Sequence, residues 1–289
     1  MRRSRGTAVI MAMLIVAAVA TLVSGAMWQQ NALMRETENE LAQAQARWLL
    51  RGAIDWAGVI LREDARTSRV DHRGEPWAVP LADTRLNEND GRRPAFIMGE
   101  IRDEQAKFNL RNLATREGVE LKELEALRRL LGALALNQAL ADSIAGRMHE
   151  AFGQTPALAL VSVDEALRGI EPAALERLRP FVTVLPERTL VNANTAAAEV
   201  LASQVAELPL LEARRVVAGR DRAYFRDSGD VRARLAQAGV QALDAEFALA
   251  TRYFSVEGTV TYAGARLRAR ALVKRDAGRL DIVSLKELE

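Results

Sequence analysis

The sequence predicts an α+β fold, with one long N-terminal helix packed on an antiparallel sheet and a large all-α region inserted between the strands. Three patterns predict this fold. An uncharged apolar stretch continues directly into an amphipathic helix, the middle of the chain has helical periodicity, and the C-terminal part alternates between polar and apolar residues. The chain has no cysteine, which excludes disulfide frameworks, Cys-ligated zinc and thiol catalysis.

The first element is a predicted membrane helix. No charged residue occurs between Gly6 and Met34, and the apolar segment Ala8 to Trp28 is long enough to cross ~30 Å of hydrocarbon. Three arginines precede Gly6 and favour a cytoplasmic N-terminus, so the body is expected on the far side of the membrane. Without those arginines the chain has 37 basic and 38 acidic residues, a balance that does not predict nucleic-acid binding.

The same helix is predicted to continue as a stem beyond the membrane. Proline is absent before Pro76, and apolar residues recur every three or four positions, which predicts one helix of roughly 55 to 60 residues. We expect its apolar stripe to pack on the globular body, with Trp48 and Trp56 in that core. Asp64, next to Glu63, is expected on a solvated face. The predicted stripe consists of Ala42, Ala46, Leu49, Ala53, Trp56 and Ile60.

The segment from Thr67 to Pro94 is predicted to be a loop, because it is rich in Gly, Pro, Asn and Asp. Calcium takes six to eight oxygen ligands, so this loop is a candidate calcium site. An Asx-rich loop without a metal is the alternative. The candidate ligands are Asp83, Asn87, Glu88 and Asp90.

Short strands are predicted on both sides of a helical block. Phe96 to Arg102 and Lys107 to Leu110 are the first two, and the tail adds three more that alternate in the manner of an antiparallel meander. We expect all five to form one sheet. The tail strands are Thr251 to Val260, Ala265 to Lys274 and Leu280 to Leu285.

Between these strands, Glu120 to about Leu243 has helical periodicity. Ser162 and Glu165 form a capping-box pattern at the start of one short helix. Asn194 or Thr195 is a candidate N-cap for another. A set of short helices is therefore predicted.

The order of these parts resembles the type IV pilin class, which has a leader ending in glycine, an apolar half-helix, an amphipathic half-helix and a globular head. The resemblance implies cleavage between Gly6 and Thr7 by a prepilin peptidase, followed by N-methylation. The usual residue five places after the cut is Glu, whereas here it is Met11. Thr7 also replaces the usual Phe.

Two further segments resemble signatures of the K-type minor pseudopilin of the type II secretion system, a member of that class that lacks the Glu. They are Phe108 to Leu113 and Val191 to Ala196, the latter followed by Glu199 to Leu201. The resemblance spans nearly the whole chain. It implies a leader (1–6), a transmembrane half-helix (7–28), stem, loop and first strands (29–118), an inserted helix-hairpin-helix or SAM-like domain (119–245) and C-terminal strands (246–289).

The resemblance implies a structural protein rather than an enzyme. Such a chain crosses the inner membrane once, carries its head in the periplasm and lies at the tip of the pseudopilus that supports export of folded proteins. The implied partners are the I- and J-type minor pseudopilins, the major pseudopilin and the prepilin peptidase. K-type pseudopilins are also associated with calcium, and no nucleic acid is expected as a partner.

Two other functions remain open from the sequence. A membrane-anchored helix-hairpin-helix protein for DNA uptake needs glycines in the hairpin, where backbone N–H groups approach a phosphate. Here the hairpin reads Leu208 to Glu212, with no glycine and one negative charge. An exported enzyme with a cleaved signal is the other alternative, since Ala18-Val19-Ala20 and Ser24-Gly25-Ala26 fit a signal-peptidase site.

Overall fold

The computed structural model describes residues 4–86, 94–153, 162–241, 245–276 and 279–288. Helix α1 spans Ser4–Thr67 without a break. All its side chains from Val9 to Leu41 are exposed, and within the described ranges it is the one helix long and apolar enough to cross a membrane. The helix ends where the Ser68 hydroxyl donates to the Val70 carbonyl oxygen at 2.6 Å, a side-chain bond that competes with helical pairing.

Within the described residues, seven strands form two sheets. In chain order they are β1 (Leu81–Arg85), β2 (Ala95–Asp103), β3 (Phe108–Asn109), β4 (Val182–Thr183), β5 (Tyr253–Tyr262), β6 (Ala265–Asp276) and β7 (Arg279–Leu288). The main sheet has the order β1-β2-β5-β6-β7, and every neighbouring pair is antiparallel. The predicted α+β class, with a long helix on an antiparallel sheet, is therefore confirmed.

Two details of the predicted sheet are wrong. The segment Leu81–Arg85 was expected to be loop, but it is an edge strand; all five residues are exposed, so no alternation marks it in the sequence. The segment around Phe108 was expected in the main sheet, but β3 pairs in parallel with β4. The chain turns away after β2 because the Asp103 carboxylate accepts from the backbone N–H of Gln105 at 2.7 Å and caps a 3-10 turn.

The stem part of α1 packs across the middle of the main sheet, mainly on β5 and β6. Small residues on the buried face let the backbones approach closely, and Leu50 lies directly above Gly258, where an added Cβ would be 3.1 Å from a Leu50 methyl carbon. The buried stripe recurs every three or four residues and consists of Ala42, Ala46, Leu50, Ile54, Ala57 and Leu61.

The predicted stripe was therefore displaced around the helix. Leu49, Ala53 and Ile60 are only partly buried, on the flank of the true stripe. Trp48 and Trp56, expected in the core, are 78% and 61% exposed. Alanines and aliphatic residues take the buried face, where Leu50 lies against Gly258 of β5.

In the part of this segment that the structure describes, seven α-helices lie between β2 and β5: α2 (Leu121–Ala133), α3 (Leu140–Gly153), α4 (Val163–Ala166), α5 (Pro172–Leu178), α6 (Ala198–Gln204), α7 (Leu210–Arg222) and α8 (Ser228–Gln237). We call residues 104–252 the helical insertion. It has two hydrophobic cores, one around α2 and α3 and one around α6, α7 and α8. Contacts between α2 and α6 join the two cores.

The difference between the two faces of α1 predicts that mutations on them lower the stability of the fold by unequal amounts. Ile54→Ala removes a buried side chain from the core beneath α1 and is expected to lower the free energy of unfolding by about 2–5 kcal/mol. Trp56→Ala truncates an exposed side chain and should change it by less than about 1 kcal/mol. Urea denaturation of a fragment starting at Asn31 measures both; a larger loss for Trp56→Ala would contradict the packing described here.

Candidate functional site: the junction of stem, sheet and helical insertion

A buried arginine on β6 joins the end of the stem to the sheet. Arg275 donates to the Leu61 carbonyl at 3.1 Å and to the Asp64 carboxylate at 3.0 Å, both in the last turns of α1. Its other Nη atom contacts both carboxylate oxygens of Asp71, at 2.5 and 2.6 Å, and the Thr251 carbonyl at 3.0 Å. One side chain thus fixes the helix end, the loop after it and the start of β5.

A second buried carboxylate, Asp103 at the end of β2, organises the entry to the helical insertion. Its Oδ2 accepts from the hydroxyls of Thr195 at 2.5 Å and Thr251 at 2.7 Å, and from the Asn192 amide at 2.9 Å. The Asn192 amide also donates to the Asp71 carbonyl at 3.1 Å. Asp103 therefore links the strand to both ends of the chain segment that runs from Val191 to Thr251.

Three carboxylates, those of Asp64, Asp71 and Glu75, lie around the single positive charge of Arg275. Glu75 Oε2 accepts from the His72 backbone N–H at 2.9 Å and from the Trp77 indole at 2.8 Å, while its Oε1 is buried without a hydrogen-bond partner. Burial, together with the charges of Glu75 and Asp71, raises the pKa of Asp64 to about 7, although the hydrogen bond from Arg275 acts in the opposite direction. Burial likewise raises the pKa of Asp103 to about 6, although the hydrogen bonds from the Thr195, Thr251 and Asn192 side chains act in the opposite direction.

Asp64, Asp71 and Glu75 each bring a carboxylate oxygen within 4.8 Å of the others, which is a geometry that can hold a metal ion. The guanidinium of Arg275 already supplies a positive charge to two of the three. Both oxygens of Asp71 accept from it, so they are not free as ligands. The donor set fits an arginine-centred ion-pair network.

The Val191–Ala196 signature has a structural explanation in this junction. Besides Asn192 and Thr195, Asn194 exchanges two hydrogen bonds with the backbone of Phe225, at 2.9 and 2.7 Å. The buried guanidinium of Arg220 donates to the carbonyls of Ala193 and Ala196, at 2.8 and 2.7 Å. These bonds hold the segment against α7 and the start of α8, where its irregular backbone would otherwise be buried without partners.

The second signature, Phe108 to Leu113, anchors a different loop. Asn109 donates to the Glu187 carbonyl at 2.9 Å and accepts from the Leu185 N–H at 3.2 Å. Asn112 exchanges hydrogen bonds with the backbone of Thr189, at 2.8 and 3.2 Å. Both asparagines thus satisfy the backbone of residues 185–189, which leads into the junction.

That loop is clamped to the sheet by Glu187. Its Oε1 accepts from the Tyr253 hydroxyl at 2.6 Å and lies 3.1 Å from Lys274 and 3.2 Å from Arg252. The tyrosine hydrogen bond and these cations lower the pKa of Glu187, while burial and the carboxylate raise the pKa of Tyr253 to about 12. The insertion is therefore also held to the start of β5 and to β6.

Those residues predicted as sites from sequence that the structure describes lie away from the junction. Gly6 and Thr7 lie in the first turns of α1. Asp83 lies on the exposed edge strand β1. The other calcium candidates, Asn87, Glu88 and Asp90, lie outside the described residues, so calcium binding stays a prediction.

The junction acids were missed by sequence reasoning, and one prediction about them is wrong. Asp64 was expected on a solvated face with Glu63, but it is 7% exposed because Arg275 reaches it from β6. The alternation of residues along β6 does indicate that Arg275 is buried. Ala269, Ala271 and Val273 face α1, and Arg275 is the charged residue at the same parity.

The hairpin at Leu208 to Glu212, which the DNA-uptake alternative requires, lies within the described residues. Helix α7 begins at Leu210 with Pro209 as a cap that offers no side-chain bond. Glu212 in its first turn lies 2.6 Å from Arg215. A carboxylate thus occupies the helix start that a phosphate would approach in such a hairpin.

The chain has one helix long enough to cross a membrane, and this helix packs on an antiparallel sheet. A helical insertion joins the two at a buried polar junction. This arrangement defines a protein of pilin-like architecture. The sequence model of the family "Type II secretion system (T2SS), protein K" matches residues 191–251. This match starts and ends at the junction. Type II secretion system protein K of Klebsiella pneumoniae is 30% identical over 321 residues, covering 97% of this chain and 95% of that protein.

The protein K of Pseudomonas aeruginosa is 29% identical over 292 residues, covering 90% of this chain and 86% of that protein. The fold is similar to that of a chain in the crystal structure of the GspK-GspI-GspJ complex from the enterotoxigenic Escherichia coli type 2 secretion system. The TM-score is 0.64 at 18% identity, and the match covers 88% of this chain and 99% of that one. The chain belongs to the type II secretion system protein K family.

The junction predicts a specific stability effect. Asn192→Ala leaves buried acceptors on Asp103 and Asp71 with fewer donors and is expected to lower the free energy of unfolding by about 1–3 kcal/mol. Gln237→Ala, an exposed amide at the end of α8, is the control and should change it by less than about 0.5 kcal/mol. Equal effects in urea denaturation would show that Asn192 does not support the junction.

The raised pKa of Asp64 predicts a pH dependence. The folded carboxyl keeps its proton up to about pH 7, whereas its ordinary pKa is 3.8. The native state therefore binds more protons in this range, and Asp64 makes the free energy of unfolding fall as pH rises from about 4 to about 7. Asp64→Asn removes this contribution, so its stability relative to the parent should rise with pH. Parallel pH profiles in urea denaturation would contradict the assignment.

Proposed function

We propose that this protein is a minor pseudopilin at the tip of the type II secretion pseudopilus, where it supports export of folded proteins from the periplasm. In this proposal the chain crosses the inner membrane once through residues 7–28, after removal of residues 1–6, and its head lies in the periplasm. Membership of the protein K family supports the proposal, because that family is a structural component of the secretion system.

The observation that carries the tip position is the place of the helical insertion. The chain leaves the sheet at Asp103 and returns at the start of β5, where Phe254 pairs with Asp103. Arg275 joins this end of the sheet to Asp64 in the last turns of α1. The insertion therefore lies at the end of the stem farthest from the membrane segment, where it would obstruct a subunit stacked above.

The membrane segment supports the same position. In stacked stems of the pilin class, a Glu five places after the cut pairs with the N-terminus of a neighbour in apolar surroundings, where an unpaired charge is costly. Met11 has that place here and offers no carboxylate. A subunit with nothing above it needs no such partner, so this chain caps an assembly rather than extending it.

The proposed partners are the I- and J-type minor pseudopilins, together with the major pseudopilin and the prepilin peptidase. The solved complex with the similar fold contains GspK with GspI and GspJ, which supports the first two. Calcium, with Asp83 of β1 and with Asn87, Glu88 and Asp90 as candidate ligands, remains part of the proposal. Calorimetric titration of the head with Ca²⁺, with Mg²⁺ as the comparison, measures that binding.

Processing of the leader is directly testable. Gly6→Leu places a bulky side chain where the peptidase must approach the backbone, and we expect it to leave the precursor uncut. Gly25→Leu is a matched control in the same helix, since nothing lies within 4 Å of its added Cβ, and it should be processed normally. N-terminal sequencing decides: Thr7 first supports the proposal, whereas Thr21 or Met27 first indicates an ordinary signal peptide.

The assembly itself gives the main test of function. Heads starting near Asn31 should form a heteromer with the two other minor pseudopilin heads, one copy of each, and light scattering measures its mass. Full-length chains in membranes should associate more tightly because their helices add contacts. Long homopolymers of this chain, or a monomer beside every co-encoded minor pseudopilin, would contradict the tip position, and tight salt-dependent binding to DNA in a gel shift would favour the DNA-uptake alternative.

A further inference from the structure

The C-terminal part of β2 has a neighbouring strand on one side only. From Phe96 to Gly99 the strand pairs with both β1 and β5, and the pairing with β1 stops where Leu81 lies opposite Gly99. Among the described residues, Glu100 to Asp103 pair with β5 alone. Over these four residues β2 therefore has a free edge that faces away from β5.

The 3-10 turn Pro76–Ala78 explains why β1 does not continue along this edge. If the register continued, Val79 would lie opposite Ile101. Pro80 has no N–H to donate, and the Val79 N–H donates to the Pro76 carbonyl at 3.3 Å inside the turn. The chain is therefore bent into the turn where it would otherwise pair with the end of β2.

Ile101 presents its backbone groups to the free edge. The N–H and C=O groups of successive residues point to alternate sides of a strand, and the Ala95 carbonyl accepts from the Leu86 N–H on the β1 side at 2.9 Å. Ile101 has the same parity as Ala95, because the register between β2 and β5 has no bulge. In the described part of the chain, no backbone group of a loop bonds to Ile101. One donor and one acceptor are thus available to an added strand.

A cleft of about 320 Å³ opens at this edge, and we call it the β2 cleft. Trp77 and Pro80 line it from the loop after α1, whereas Pro180, Ala197 and Val200 line it from the helical insertion. A space of this size admits a few residues of an extended chain. It does not admit a helix, which is about 10 Å wide with its side chains.

Three cations line the β2 cleft, and one of them lacks an acidic partner. Arg102 lies 2.5 Å from Glu100, and Lys107 lies 2.7 Å from Glu104, so these two are paired within the chain. Arg73 is exposed and donates to a backbone carbonyl of the insertion at 2.7 Å, but no carboxylate of the described residues pairs with it. The cleft therefore offers a positive charge to a carboxylate from outside.

These features together select an extended peptide that carries acidic side chains. A strand added to an exposed edge gains affinity from main-chain hydrogen bonds and specificity from its alternate side chains. Side chains on one side of such a strand can reach Arg73. Those on the other side face a groove of about 240 Å³ between α1 and β2, which Ile60 and Trp77 line. Apolar side chains fit that groove.

We propose that the β2 cleft binds an extended peptide segment of another protein, in which acidic and apolar residues alternate. The segment adds to β2 as a short strand and exchanges hydrogen bonds with the backbone of Ile101. One of its carboxylates pairs with Arg73, and a neighbouring apolar side chain enters the groove at Trp77. This binding site does not depend on the proposed function, because it rests on the free edge and the cleft alone.

Binding is measured by fluorescence anisotropy with the full-length chain in detergent micelles and the labelled peptide fluorescein-Glu-Val-Glu-Val-amide as the probe. We expect saturable binding that the unlabelled peptide competes, whereas Lys-Val-Lys-Val-amide and inorganic phosphate do not. The same peptide with N-methylated valines keeps its side chains but loses main-chain donors, and it should bind about tenfold more weakly. No saturable binding at millimolar peptide would overturn the inference.

Two pairs of variants locate the bound peptide. Arg73→Gln removes the charge but keeps a donor for the backbone carbonyl, and it should weaken binding about tenfold. Arg232→Gln, the same change at an exposed position of α8, should bind like the parent. Because both arginines are exposed, thermal melting of both variants should match the parent. Since the chain has no cysteine, Ala78→Cys should form a disulfide adduct with a cysteine-ended peptide, and Gln237→Cys should not.

The contrary outcomes are distinct. Equal binding by the parent and Arg73→Gln, without an adduct at Ala78→Cys, would place the peptide elsewhere and overturn the inference. Equal binding of the N-methylated peptide, or competition by phosphate, would show a simple anion site in place of strand addition. If light scattering shows a dimer of this chain that Arg73→Gln dissociates, the occupant is a second copy and the inference is wrong.

Discussion

The buried guanidinium of Arg275 is the interaction on which the rest of the structure depends. It contacts α1, the following loop and the residue Thr251 just before β5, through Asp64, Asp71 and two backbone carbonyls. Burying one arginine is costly, and the cost is offset here because nearly every donor reaches a carboxylate or carbonyl oxygen. Without it, Asp64, Asp71 and Glu75 would be three carboxylates within 4.8 Å of each other with no cation among them.

The network around Arg275 also fixes the position of the helical insertion. The Asp71 carbonyl accepts from Asn192, and the Thr251 N–H donates to the Asp71 carboxylate at 2.5 Å, so both ends of residues 191–251 attach to the loop that Arg275 holds. Arg73, in the same loop, donates to the Thr195 carbonyl at 2.7 Å. The insertion is thus attached at the C-terminal end of α1, and this attachment supports the proposed tip position.

The sequence predicts the parts of this arrangement that depend on local pattern. Helix α1 follows from the absence of proline, the uncharged first half and the helical periodicity of the second half, and β5 to β7 follow from alternation. The buried face of α1 was predicted wrongly because Ile54 and Trp56 both belong to apolar stripes with helical spacing, and the local pattern does not say which stripe faces the sheet. The junction was not predicted because Asp64 and Arg275 are far apart in the chain, and their pairing depends on how α1 crosses β6.

The most direct test of the account is whether Arg275 fixes the insertion relative to the stem. Spin labels on cysteines introduced at Gln43 of α1 and Arg232 of α8 report this distance by electron–electron double resonance, since the chain has no cysteine of its own. The account predicts a single narrow distance distribution in the parent and in Arg266→Met, an exposed change on β6, and a broad distribution in Arg275→Met. A distribution in Arg275→Met as narrow as in the parent would contradict it.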